Sequence, residues 1–234
     1  MEFKFKQFAV KQARSAMKIG TDSVLLGAWT PLETPESILD IGAGTGVLAL
    51  MMAQRSSAQT IDAIEIEEAS YIECIENFEE SPWGDRLFCY HCSFEAFVAE
   101  VDTSYDLIIS NPPFYTSDYK SPEKMRNRAR FEESLPFDVL LNGVDRLLSE
   151  KGVFSVIIPY TEVASFVALA ALHHLFPMKL THTYGHIDAT PKRSLIAFSR
   201  VVSSCEEDSL VIERERGVYT EAYVALTKEF YYRF

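Results

Sequence analysis

The stretch Ser37-Ile38-Leu39-Asp40-Ile41-Gly42-Ala43-Gly44-Thr45-Gly46-Val47 decides the fold. Its first half is an apolar strand. Glycines at alternate positions then turn the chain, because glycine bends sharply and lets a ligand approach the backbone closely. The run Val47-Leu48-Ala49-Leu50-Met51-Met52-Ala53 that follows has a helical pattern. A strand, a glycine turn and a helix in this order form the crevice in which α/β sheets hold nucleotides and nucleosides.

The same alternation extends outward. Strand-like runs at 38–41, 61–65, 87–91, 106–110 and 152–158 are followed by helical patterns at 46–55, 67–79, 94–98, 137–148 and 161–176. Such alternation means parallel strands joined by crossover helices. A continuous apolar strand such as 153–158 agrees with burial on both faces. Runs 179–184 and 194–201 lack a full helix between them and read as an antiparallel hairpin at the sheet edge. The fold expected is α/β and Rossmann-like: a doubly wound, seven-stranded, mostly parallel sheet with helices on both faces. One domain spans 1–234. Segment 1–36 is expected to pack over the crevice, and 115–135, long for a compact domain, to be a substrate loop.

The crevice differs from a pyrophosphate site. Its spacing is Gly-x-Gly-x-Gly rather than Gly-x-Gly-x-x-Gly. Asp40 stands just ahead of the glycines, where a carboxylate repels a pyrophosphate and attracts a cation. Glu65 closes the next apolar run, Ile61-Asp62-Ala63-Ile64, where an acid accepts hydrogen bonds from both ribose hydroxyls. The guest described is a nucleoside with a positive tail and no phosphate. S-adenosylmethionine fits, with Asp40, Gly42, Gly44, Gly46 and Glu65 binding it. Ser93, directly after strand 87–91, is placed to reach the adenine amine. Thr21-Asp22-Ser23-Val24 carries a helix-start signature. Asp22 reads either as a plain cap or, with Thr21, as part of a cover over the cofactor's methionine end.

Strand 106–110 runs into Asn111-Pro112-Pro113-Phe114. Two prolines end strand and helix alike, since each lacks an N–H and fixes φ. The stiff turn offers an amide (Asn111), a carbonyl freed from pairing (Pro112) and an aromatic face (Phe114). These suit a planar ring bearing an exocyclic NH₂. The amide oxygen and the carbonyl accept its two hydrogens, Phe114 stacks on the ring, and the nitrogen lone pair is aimed at an electrophile. An Asn-Pro turn also ends many strands without any chemical role.

With 234 residues and 47% of them hydrophobic, the chain has ample core. No leader pattern opens it, and no run of about 18 apolar residues suggests a membrane span. Four scattered cysteines fit a reducing cytosol. Cys89-Tyr90-His91-Cys92 has C-x₂-C spacing without the second pair that zinc needs, so no metal is expected. His173 and His174 read as packing or capping residues of an apolar helix. A net charge of −12 argues against nonspecific nucleic-acid binding. Cations nevertheless cluster at Lys4, Lys6, Lys11, Arg14 and Lys18, at Lys120, Lys124, Arg126, Arg128 and Arg130, and at Lys192 and Arg193. They form either a rim that steers a phosphate backbone or ordinary solvated loops.

The glycine turn, the acid and Asn-Pro-Pro-Phe together resemble the class I, Rossmann-like S-adenosylmethionine methyltransferases that modify amino groups. Further stretches are similar to one bacterial family. They are Phe5-Lys6-Gln7-Phe8, Met17-Lys18-Ile19-Gly20-Thr21-Asp22, Leu25-Leu26-Gly27-Ala28-Trp29, Ser81-Pro82-Trp83, and Tyr219-Thr220-Glu221-Ala222-Tyr223 with Ala225-Leu226-Thr227. That family is the tRNA(Val)-specific adenine-N6 methyltransferases, which modify adenosine-37 in the anticodon loop. The resemblance implies a cytosolic, S-adenosylmethionine-using enzyme with tRNA as its partner and the target amine held by Asn111–Phe114. Two positions depart from the pattern: Ser93 stands for the usual Asp, and Ser23 for a frequent Gly. A protein-glutamine N5-methyltransferase is the rival enzyme, since its substrate amide is also a planar NH₂. A DNA adenine methyltransferase is a second, but no separate DNA-recognition domain is evident. A non-catalytic nucleoside- or RNA-binding module is the rival outside enzymes.

Overall fold

The computed structural model describes residues 1–113 and 135–232. The chain opens with a two-stranded antiparallel ribbon, β1 (Glu2–Lys4) and β2 (Ala9–Lys11), and then α1 (Thr21–Trp29). The alternation read from the sequence follows as β3 (Ser37–Ile41), α2 (Val47–Arg55), β4 (Thr60–Glu65), α3 (Glu68–Glu79), β5 (Leu87–His91), α4 (Phe94–Glu100) and β6 (Tyr105–Ser110). After the undescribed segment come α5 (Phe137–Leu147), β7 (Leu148–Pro159), a short 3₁₀ turn (Tyr160–Glu162), α6 (Val163–Leu172), β8 (Phe176–His186) and β9 (Arg193–Ser199). The last elements are β10 (Glu206–Glu215), β11 (Val218–Tyr219) and α7 (Glu221–Thr227).

One sheet takes the order β11-β10-β8-β9-β7-β6-β3-β4-β5. The seven strands expected from the sequence are β3 to β9, and they make its continuous part. Strands β3 to β7 are parallel, while β9 runs against both β7 and β8. The sheet carries two more strands than expected, so the β8–β9 hairpin is not at the edge. β10 adds in parallel outside β8, and β11 pairs antiparallel with β10. β10 was illegible because it begins Glu206-Glu207-Asp208 and its first four residues are exposed, so it lacks the apolar run of a buried strand.

Helices cover both faces. One core packs α1, α2, α3 and α7 against the sheet through Leu25, Leu26, Leu50, Phe78 and Tyr223. The other packs α4, α5 and α6 through Phe97, Leu140, Leu141 and Phe166. α6 is shorter than expected. It stops at His173, and His174 takes a left-handed φ of 57°. Both histidines face acids of α5, His173 Nε2 at 3.2 Å from Asp138 and His174 Nδ1 at 3.5 Å from Asp145.

Two consequences position the site. The strand order reverses between β3 and β6, so a crevice opens at their carboxyl ends. The N-terminal segment is also strapped down by α3. Glu73 accepts hydrogen bonds from the amides of Ala13, Arg14 and Ser15 and from the Ser15 hydroxyl. Asn77 bonds both the N–H and C=O of Lys11 and the carbonyl of Thr45 in the glycine turn.

Candidate active site

The glycine turn at the end of β3 has φ of +73° at Gly42, +56° at Gly44 and +79° at Gly46. L side chains rarely adopt that left-handed region. The three glycines differ in surroundings. A Cβ on Gly46 would lie 2.5 Å from Phe78 Cε1 and 2.8 Å from Cys74 Sγ, so this glycine lets the turn pack on α3. A Cβ on Gly42 or Gly44 would meet nothing within 4 Å. The side of the turn that faces the crevice is therefore open.

Two acids frame this space. Asp40 is fully buried. Its Oδ2 accepts from the Ala49 amide of α2 at 3.1 Å, and its Oδ1 has no hydrogen-bond partner among the described residues. Burial pushes its pKa up to about 7 against the opposing Ala49 hydrogen bond, with the nearby Glu65 carboxylate adding to the rise. Glu65, at the end of β4, has each oxygen on one backbone amide: Oε2 accepts from Gly44 at 2.7 Å and Oε1 from Glu67 at 2.8 Å. A carboxylate has about four lone-pair sites, so two remain for ligand hydroxyls.

Asn111 follows β6, on the other side of the reversal. Its Nδ2 donates to Ser23 Oγ at 2.9 Å. That bond orients the amide and leaves Oδ1 able to accept an N–H. Ser23 lies inside α1, and its φ is not positive, so the departure from glycine carries no strain. It is the residue sequence reasoning missed. The two positions are 88 apart in sequence, and only the fold brings them together. Pro112 is buried and Pro113 half-buried. Phe114 and the cations Lys120, Lys124, Arg126, Arg128 and Arg130 lie outside the described residues.

The remaining predicted residues make contacts of their own. Asp22 is not the cap of α1. Gly20 holds that position without a side-chain bond, and Asp22 Oδ2 instead accepts from Arg193 Nε at 2.8 Å. Thr21, Asp22, Lys192 and Arg193 together line a cavity of about 290 Å³ with Thr183, Gly185, Ile212, Glu213, Tyr219 and Tyr223. Ser93 is the cap of α4, its hydroxyl accepting from the Ala96 amide at 3.2 Å. The N-terminal cations are engaged inside the molecule. Lys11 pairs with Glu80 and Arg14 with Glu76, both at 2.6 Å, while Lys6 and Lys18 bond backbone carbonyls. Among the described residues no group of three His, Cys, Asp or Glu could hold a metal, and no helix is long and apolar enough to cross a membrane.

Comparison with known proteins agrees with this geometry. The profile of the methyltransferase small domain family matches residues 12–129. The tRNA1(Val) (adenine(37)-N6)-methyltransferase of Flavobacterium psychrophilum is 56% identical over 98% of both chains. The protein of the same name from Bacteroides fragilis is 44% identical over 98% of this chain and 97% of its own. Among solved structures, a predicted O-methyltransferase from Agrobacterium tumefaciens has a TM-score of 0.67 at 17% identity, covering 89% of this chain and 96% of that one. A ribosomal protein L11 methylase from Lactobacillus delbrueckii has a TM-score of 0.53 at 18% identity, covering 76% and 78%. These two share the fold alone. With relatives this similar over nearly its whole length, the chain belongs to the methyltransferase small domain family, among the tRNA1(Val) (adenine(37)-N6)-methyltransferases.

Proposed function

We propose that the chain transfers a methyl group from S-adenosylmethionine to N6 of adenosine-37 in the anticodon loop of tRNA(Val), in the cytoplasm. The observation that carries this reading is the Asn111 amide. Ser23 orients it at the end of β6, across the strand reversal from the open glycine turn.

The crevice fits S-adenosylmethionine. A buried carboxylate oxygen without a partner suits the ammonium of the methionine moiety. The two unused lone pairs of Glu65 suit the ribose hydroxyls, and the open faces of Gly42 and Gly44 leave room for the nucleoside. The bound cofactor supplies an electrophilic methyl on a positively charged sulfur. Asn111 Oδ1 accepts one hydrogen of the substrate N6, and the Pro112 carbonyl accepts the other. Held by both, the nitrogen directs its lone pair out of the ring's conjugation and toward the methyl. Held by Asp40 and Glu65, the cofactor would supply its methyl to N6 and keep the carbon–sulfur electron pair, and N6 would lose one proton to solvent. The rate gain comes from positioning rather than from an activated base. The target base leaves the anticodon loop to enter the site, which costs less than opening a duplex. Phe114 stacks on it.

Transfer of labelled methyl to unmodified tRNA(Val) transcript, a DNA duplex and a cell protein extract tests this. Label on the transcript alone is expected. Label on protein alone would move the chain to glutamine methylation, and label on none of them, with cofactor still bound, would favour the idle module.

A further inference from the structure

A cavity lies where α1, β8, β9, β10, β11 and α7 meet; Asn111 is not among its lining residues, and its composition is specific. Arg193 is fixed by its 2.8 Å bond to Asp22, the residue before the Ser23 that touches Asn111. Lys192 lies beside it, and Thr183 and the Glu213 carboxylate line the wall. At one side Tyr219 is 38% exposed and its ring stacks on that of the buried Tyr223 at 5.0 Å, an anchored aromatic platform on a short outer strand. β9 begins at Arg193 opposite Pro159, the last residue of β7, so the cavity opens at the same end of the sheet as Asn111.

We infer that this cavity binds a second nucleotide of the RNA, a neighbour of the methylated one, with its base on Tyr219 and its phosphate at Lys192 and Arg193. An aromatic face stacks on any base. The Lys192 and Arg193 cations hold the phosphate. Thr183 and Glu213 offer acceptors to the base edge. At about 290 Å³ the space is near the lower bound for small-molecule sites, the scale of one nucleotide rather than of a folded partner. Neighbouring nucleotides would then enter the protein on either side of the first turn of α1. This inference rests on the RNA reading of the active site.

The test measures two things on the full chain. One is binding of a fluorescent tRNA(Val) anticodon stem-loop, and the other is methyl transfer to the tRNA(Val) transcript. Tyr219→Ala and Lys192→Ala are each expected to weaken stem-loop binding and raise KM for tRNA, about tenfold for the ring. Cofactor Kd and kcat at saturating tRNA stay at the wild-type level. Tyr219→Phe keeps the ring and restores affinity. Tyr219 sits on a two-residue outer strand, and Lys192→Ala reads the same cavity should the tyrosine variant fail to fold. Wild-type methylation of tRNA with unchanged binding and KM in both Ala variants would overturn the inference and leave the methyltransferase reading intact. Tyr219-dependent stem-loop binding without any methyl transfer would support the cavity and count against that reading. A wild-type protein that binds no stem-loop would overturn the cavity.

Discussion

Asp40 was legible as an acid before a glycine turn, but not as a buried one with a half-satisfied carboxylate. With its pKa raised to about 7, the protonated form is favoured over most of the acid range. Its contribution to the stability of the free protein is complete below the ordinary value of 3.8 and declines as pH rises through about 7. A cationic ligand needs the ionised form. S-adenosylmethionine is therefore expected to bind more weakly as pH falls below 7, by up to about tenfold per pH unit, in calorimetric titrations between pH 6 and 8. Asp40→Asn should bind weakly throughout and flatten the profile. Ser23 stood out in the sequence only as a departure from glycine, yet it bonds Asn111. Ser23→Ala removes one neutral hydrogen bond, about 1 kcal/mol, so kcat should fall several-fold with the cofactor Kd unchanged. An unchanged kcat would remove Ser23 from the site.

At the scale of elements, apolar runs and glycine punctuation betrayed β3 to β7 and their helices, because strands buried on both faces leave little room for polar residues. What stayed hidden lacks that signal. β1 and β2 are three residues each, and β10 is acidic at its start. The strap of the N-terminal segment onto α3 was equally invisible, since Glu73 and Asn77 sit in a helix rich in ordinary surface acids. Asn77 is 1% exposed and bonds two elements at once. Asn77→Ala strands buried backbone groups and should cost about 2–3 kcal/mol in urea unfolding. Burial alone would raise the pKa of Glu73. The Ser15 hydroxyl and the amides of Arg14, Ser15 and Ala13 instead hold it down to about 2. A depressed pKa gives stability that is present above the ordinary 4.5 and lost as pH falls toward 2. The N-terminal segment should thus loosen in that window, seen as faster proteolysis near residues 12–19. Glu73→Gln should abolish the pH dependence of that cleavage.

At the scale of the whole molecule, a net charge of −12 leaves RNA affinity to local cations rather than to overall charge. The N-terminal set read either as part of a basic rim or as solvated loops, and Lys11 and Arg14 are matched to Glu80 and Glu76. A charge count along the sequence cannot distinguish a paired cation from an available one. Lys11→Ala and Arg14→Ala should change tRNA affinity less than about twofold. The wild-type affinity itself should fall by at least about tenfold between 50 and 200 mM salt. The proposed function turns on Asn111 holding the amine that is methylated. The direct test is to treat unmodified tRNA(Val) transcript with wild-type and Asn111→Ala protein and map the product by nuclease digestion and mass spectrometry, with cofactor Kd measured alongside. The wild type is expected to give N6-methyladenosine at position 37 and the variant none, at equal cofactor affinity. Methylation of that nucleotide by Asn111→Ala at the wild-type rate would contradict it.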